Sequence, residues 1–107
     1  MKVYNKLVRD KVPDKIKNEL DGIPKTRILS EEEYKAELYK KLVEEAYEFI
    51  AESDIEEMAD ILEIIHAILE LNKYNLKDVE KIRKNKLEER GGFIGRIFLE
   101  SVEPKSK

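Results

Sequence analysis

The chain has 107 residues, with 21 Lys and Arg against 24 Asp and Glu, a net charge of −3, one histidine and no cysteine. That length predicts one domain with a small core, and the near-balanced charge argues against a strongly basic nucleic-acid binder or a single-sign acidic tail. Without cysteine there is no disulfide scaffold, thiol nucleophile, iron–sulfur cluster or cysteine zinc site, and one histidine cannot make a three-histidine zinc site within one chain.

The opening Met1-Lys2-Val3-Tyr4-Asn5-Lys6 lacks the apolar run of a secretory signal, so a cytoplasmic location is expected. The apolar residues are too interrupted for a membrane span, and no membrane partner is expected. Pro13 is placed as a first-turn proline and Asp21-Gly22 as a stop, predicting a short helix over 13–20. Residues 23–29 contain Pro24 and β-branched side chains and read as an extended connector. Ser30 followed by Glu33 is a capping box that opens a long helix over 31–52. Asp54 with Glu57 repeats the device ahead of a helix over 55–72. Asn75 caps a third long helix, 76–90, which ends at Gly91-Gly92. The apolar stretch Phe93–Leu99 reads as a strand or an extended tail. The expected fold class is all-α, with three main helices and a short N-terminal one.

At about 100° per residue, Leu38, Leu42, Ala46, Phe49 and Ile50 form an apolar stripe on the first long helix. Glu45 falls on its edge, with Glu48 and Glu52 beside it. The second long helix carries a wide apolar arc, and Glu57 falls inside it, flanked by Ile61, Ile64 and Ile68, with Asp60 at the border. An ionised carboxylate in apolar surroundings is unfavourable unless it is paired or bound to a metal. Glu45 and Glu48 are three apart, as are Glu57 and Asp60, so each pair shares a helix face. Two such pairs on neighbouring antiparallel helices can aim four carboxylates at one point. A hard divalent cation with oxygen ligands, Mg²⁺ or in its place Mn²⁺, relieves the repulsion. In a chain with 18 Glu such pairs also arise by chance as solvated faces, and an ion pair with Lys41 or with a partner subunit is the competing explanation.

These residues carry a likeness. Lys41-Leu42-Val43-Glu44-Glu45-Ala46-Tyr47-Glu48, then Glu57-Met58-Ala59-Asp60, resembles the paired E-x-x-E and E-x-x-D motif of the all-α nucleotide pyrophosphohydrolases, the MazG-like and phosphoribosyl-ATP pyrophosphohydrolase proteins. Tyr4-Asn5-Lys6-Leu7-Val8-Arg9-Asp10-Lys11-Val12-Pro13 looks like the opening of one MazG-like subgroup, and Ile28-Leu29-Ser30, Glu33-Tyr34 and Arg90-Gly91-Gly92-Phe93 are similar too. The resemblance implies a bundle completed by forming a homodimer or higher oligomer, with Mg²⁺ held by Glu45, Glu48, Glu57 and Asp60. It implies hydrolysis of a nucleoside triphosphate or related nucleotide between the α and β phosphates, giving a monophosphate and pyrophosphate, as in clearing surplus nucleotides. Glu45 or Glu48 is then the catalytic base, ahead of Glu44. One departure stands out: phosphoribosyl-ATP pyrophosphohydrolases usually place a histidine about one turn after the aspartate, where this chain has Glu63-Ile64, with His66 further on.

Lys6, Arg9, Lys41, Lys86 and Arg90 are the candidate phosphate or substrate ligands. Lys86 and Arg90 equally suit the dipole at a helix C-terminus. Glu63-Ile64-Ile65-His66 matches the E-x-x-H of di-iron bundles, but such sites need it on two helices and Glu63 lies toward the polar face. A non-catalytic dimeric bundle serving as a binding or regulatory module is the remaining alternative. Its acids would pair with Lys and Arg.

Overall fold

In the computed structural model, which describes residues 1–106, the chain after the N-terminal arm begins with α1, Val12–Glu19. Pro13 lies in its first turn, where a missing N–H removes no helical bond. The helix ends as Leu20 and Gly22 both donate to the Ile16 carbonyl, at 3.2 and 3.1 Å. Asp21 takes the left-handed backbone conformation there, with φ 51°. Gly22 is required for a different reason: a Cβ on it would stand 2.9 Å from Ile16 Cγ2.

The connector is extended as expected, and Arg27 ties it to the next helix by a two-pronged bond to Glu33, at 3.3 and 2.9 Å. Glu33 also completes the capping box at the start of α2, Glu31–Glu52. The Glu33 N–H donates to Ser30 Oγ and the Ser30 N–H donates to Glu33 Oε1. These partners, Arg27 first, hold the Glu33 carboxyl down at about 2.

Only Ser53 and Asp54 join α2 to α3, Ile55–Leu71. Ser53 turns the chain with φ 52°, and its N–H donates to the Phe49 carbonyl. So short a link forces an antiparallel pair. Tyr39, in the first half of α2, meets Asn72, the residue that follows α3, with Asn72 Nδ2 donating to the Tyr39 hydroxyl at 3.5 Å. The core lies between these two helices and is small: Leu38 is 3% exposed and Ile64 7%. Leu42, Ala46 and Phe49 on α2, and Ile61, Ile68 and Leu69 on α3, are half-buried. Part of both apolar faces is open to solvent, including Ile50 of the α2 stripe at 73% and Leu62 on α3 at 56%.

The chain divides into two compact units, one spanning Met1–Tyr74 and the other beginning at Asn75. The second contains α4, Leu76–Arg90, capped by Asn75, whose side chain accepts from the Lys77 N–H at 2.8 Å. Arg83 makes a two-pronged bond to Glu80 within it. Gly91 ends the helix with φ 80°, its N–H donating to the Leu87 carbonyl. The apolar residues that follow form a turn, Arg96 N–H to the Phe93 carbonyl, and then an extended segment. Among the described residues there are four helices and no strand, and no helix is long and apolar enough to cross a membrane.

Candidate metal centre

The helical phase that puts Leu38 and Ile64 in the core also turns Glu45 and Glu57 toward one another. Glu45 is 9% exposed, an unusual burial for a carboxylate. Its Oε1 lies 3.8 Å from Lys41 Nζ, one turn earlier on α2. Its Oε2 is fully buried and has no hydrogen-bond partner, and the same is true of Glu57 Oε2. Asp60, one turn after Glu57, completes the group. One oxygen from each of Glu45, Glu57 and Asp60 lies within 4.8 Å of the others.

Burial, then the neighbouring Glu45 and Glu48, pushes the Glu57 carboxyl up to about 7. Burial and Glu48 also raise Glu45, against the opposing pull of Glu57 and Lys41. The cluster thus holds more negative charge than its own cations neutralise. It also leaves two buried oxygens without donors, a state that costs stability unless a cation or proton fills the gap.

These are the kind of donors a small divalent ion takes. Around an octahedral ion with bonds near 2.1 Å, ligand oxygens stand about 3–4.2 Å apart, and the three oxygens here lie within 4.8 Å of one another, close to that range. An all-oxygen set with no histidine matches Mg²⁺ or Mn²⁺.

Of the sequence-predicted ligands, the structure brings together Glu45, Glu57 and Asp60. Glu48 stands beside them, close enough to raise both glutamates, but is exposed and outside the group of three. Glu44 is exposed. Asp54 does cap α3, accepting from the Glu56 N–H at 3.2 Å, but Glu57 does not close a capping box with it. The Glu57 side chain is committed to the inter-helix cluster instead.

The basic residues divide. Arg9 reaches the cluster, its Nη2 donating to Asp60 Oδ1 at 2.8 Å. Lys41 is paired with Glu45 as described. Lys6 is exposed and lies over the Tyr4 ring, 5.6 Å from its centre, with Lys2 also against that ring. Lys86 and Arg90 are exposed on α4 in the second unit. Glu63 and His66 are both exposed on α3. The contact between Arg9 and Asp60 was not foreseeable from spacing, because the two residues are 51 positions apart. The only sequence signal was a cation in an arm otherwise lacking structure.

No family model matches this chain, and no curated protein or solved structure does.

Proposed function

We propose that the protein is a Mg²⁺-dependent nucleotide pyrophosphohydrolase that cleaves between the α and β phosphates of a nucleoside triphosphate or related nucleotide. The observation that carries this reading is the pair of buried, unpartnered oxygens on Glu45 and Glu57, with Asp60 in reach. Such a group is poorly satisfied by protein alone and well satisfied by a divalent ion. The resemblance of the paired motif and of the N-terminal decapeptide supplies the reaction. In this reading Glu45, Glu57 and Asp60 hold Mg²⁺, with Glu48 as a fourth ligand or as the base. The ion's contribution is to neutralise charge on the phosphate oxygens and lower the pKa of water.

Glu45 is largely withdrawn from solvent and suits a ligand. Glu48, exposed beside it, is open to a water molecule and suits the acceptor of its proton. Water attacks a phosphorus of the α–β anhydride, its proton passes to the carboxylate and the bridging P–O bond breaks, so the products are a monophosphate and pyrophosphate. Arg9, bonded to Asp60, and Lys41, beside Glu45, are the candidates for phosphate contact at the cluster, with Lys6 further along the same arm as Arg9.

A homodimer or higher oligomer belongs to the same reading. Val43, Tyr47, Ile50 and Leu62 on the α2–α3 pair are exposed, and a second copy would cover them. Sedimentation across a concentration series tests this part independently of activity.

A second reading is favoured by the ion pairs Lys41–Glu45 and Arg9–Asp60, which partly neutralise the acids without metal. In it the chain is a non-catalytic helical binding or regulatory module. Assaying pyrophosphate release from a panel of canonical and modified nucleoside triphosphates separates the two. Release that needs Mg²⁺, stops with chelator and is lost in Glu57→Gln supports the enzyme. Orthophosphate as product moves the cleavage to another bond. No turnover, together with no Mg²⁺ or Mn²⁺ binding, leaves the second reading.

A further inference from the structure

We infer that Arg9 is a displaceable stand-in for the metal: a divalent ion that takes Asp60 releases the guanidinium, which then binds the phosphates of the incoming nucleotide. This rests on the reading of Glu45, Glu57 and Asp60 as a metal centre and adds an order to it, metal before nucleotide.

The geometry has three relevant parts. Arg9 touches the site at one point, Nη2 to Asp60 Oδ1 at 2.8 Å, leaving the rest of its five-donor fork unused by Asp60. It satisfies the rim of the cluster and not its floor, because Glu45 Oε2 and Glu57 Oε2 remain without a partner, the former on a residue only 9% exposed.

The arm is also built for exchange. The Arg9 backbone is pinned to α1, its carbonyl accepting from the Val12 N–H at 3.0 Å, while its side chain is 57% exposed. Rotation about side-chain bonds is therefore enough to move the charge, with no refolding. Once Asp60 is shared with a dication, its attraction for Arg9 is weakened and the ion itself repels the guanidinium at short range. Phosphate oxygens brought to the site then offer the guanidinium another anion, which a planar fork matches in pairs. Lys6 and Lys11 lie on the same arm and add to its positive field.

The test uses the full chain, its Arg9→Ala and Glu57→Gln variants, and two probes. Mn²⁺ alone is titrated by calorimetry, and tripolyphosphate is titrated at saturating Mg²⁺. Removing a competing exposed ion pair is expected to tighten Mn²⁺ binding by Arg9→Ala about two- to fivefold. Loss of a charged hydrogen bond to phosphate is expected to weaken tripolyphosphate binding by about tenfold or more. Equal or weaker Mn²⁺ binding by Arg9→Ala would overturn the exchange and make Arg9 a fixed positioning residue for Asp60. Unchanged tripolyphosphate binding would overturn the phosphate role. If the unaltered chain binds no Mn²⁺ and Glu57→Gln behaves identically, the metal centre itself is wrong and the exchange falls with it. That outcome is distinct from the other two.

Discussion

Glu45 on α2 and Glu57 on α3 each present a fully buried oxygen with no partner to the gap between the helices. Two carboxylates so placed repel one another and lack donors, so the metal-free protein is held below its attainable stability. Glu57→Gln removes one charge while nearly keeping the shape. It is expected to raise the melting temperature of the metal-free protein and to abolish the further rise on adding Mn²⁺. Thermal melts of both proteins with chelator and with Mn²⁺ check this. A metal-induced rise retained by the variant would remove Glu57 from the ligand set.

The same pair sets a pH dependence. Glu57 sits at about 7 in the folded chain against an ordinary 4.5, and Glu45 is also raised. Between those values the native state binds more protons than the unfolded chain, so stability falls as pH rises. The contribution is fully present below about 4.5 and is lost as pH rises through about 7. Glu33 opposes this only at the acid end, since its lowered carboxyl favours folding above 4.5 and loses that as pH falls toward about 2. Urea unfolding with chelator from pH 4.5 to 8 is expected to show a declining midpoint, flattened in Glu57→Gln. Metal affinity runs the other way, rising with pH, because the ligands must shed their protons.

Leu38 is the most buried apolar side chain of the α2–α3 pair. Leu38→Ala is expected to cost about 2–3 kcal/mol, the lower part of the range for such truncations, because most apolar residues around the core are only half-buried. Equilibrium urea unfolding reads this as a lower midpoint at unchanged slope.

Ser30 holds the first turn of α2 through the Glu33 N–H. Ser30→Ala is expected to cost about 1 kcal/mol. It leaves Arg27 bonded to Glu33, so hydrogen exchange should quicken in the first turn of α2 and remain unchanged around Ile64. A uniform change along both helices would show that the cap acts on global folding instead.

The helices were legible because their signals are local. Ser30, Asp54, Asn75 and Gly91 each act within four residues, and the ends of α2 and α4 fall where those residues predict. The facing of Glu45 and Glu57 was legible for a related reason, since helical phase converts spacing into direction. Local rules failed where a side chain had two claims on it. Glu57 was expected to cap its own helix as well as to face α2, and the cluster claimed it. At the end of α1 the left-handed position fell on Asp21, with Gly22 kept for its closeness to Ile16. That Arg9 meets Asp60 was not legible from spacing, because the contact depends on how the arm lies across the folded pair.

The two-residue link between α2 and α3 leaves little slack, so the helical stretches on either side of it limit what kinds of change the site tolerates. Each residue inserted or deleted within α2 after Glu45, or within α3 before Glu57, turns the carboxylate beyond it by about 100° relative to the link. Glu57 and Asp60 would swing out of reach of Glu45 even with every side chain intact. Substitutions at Ser53 and Asp54 alter stability by degrees, whereas a single-codon insertion in either helical stretch switches the carboxylate constellation off outright. The carboxylates are timed as well as placed, and the helical residues between Glu45 and Glu57 keep the time.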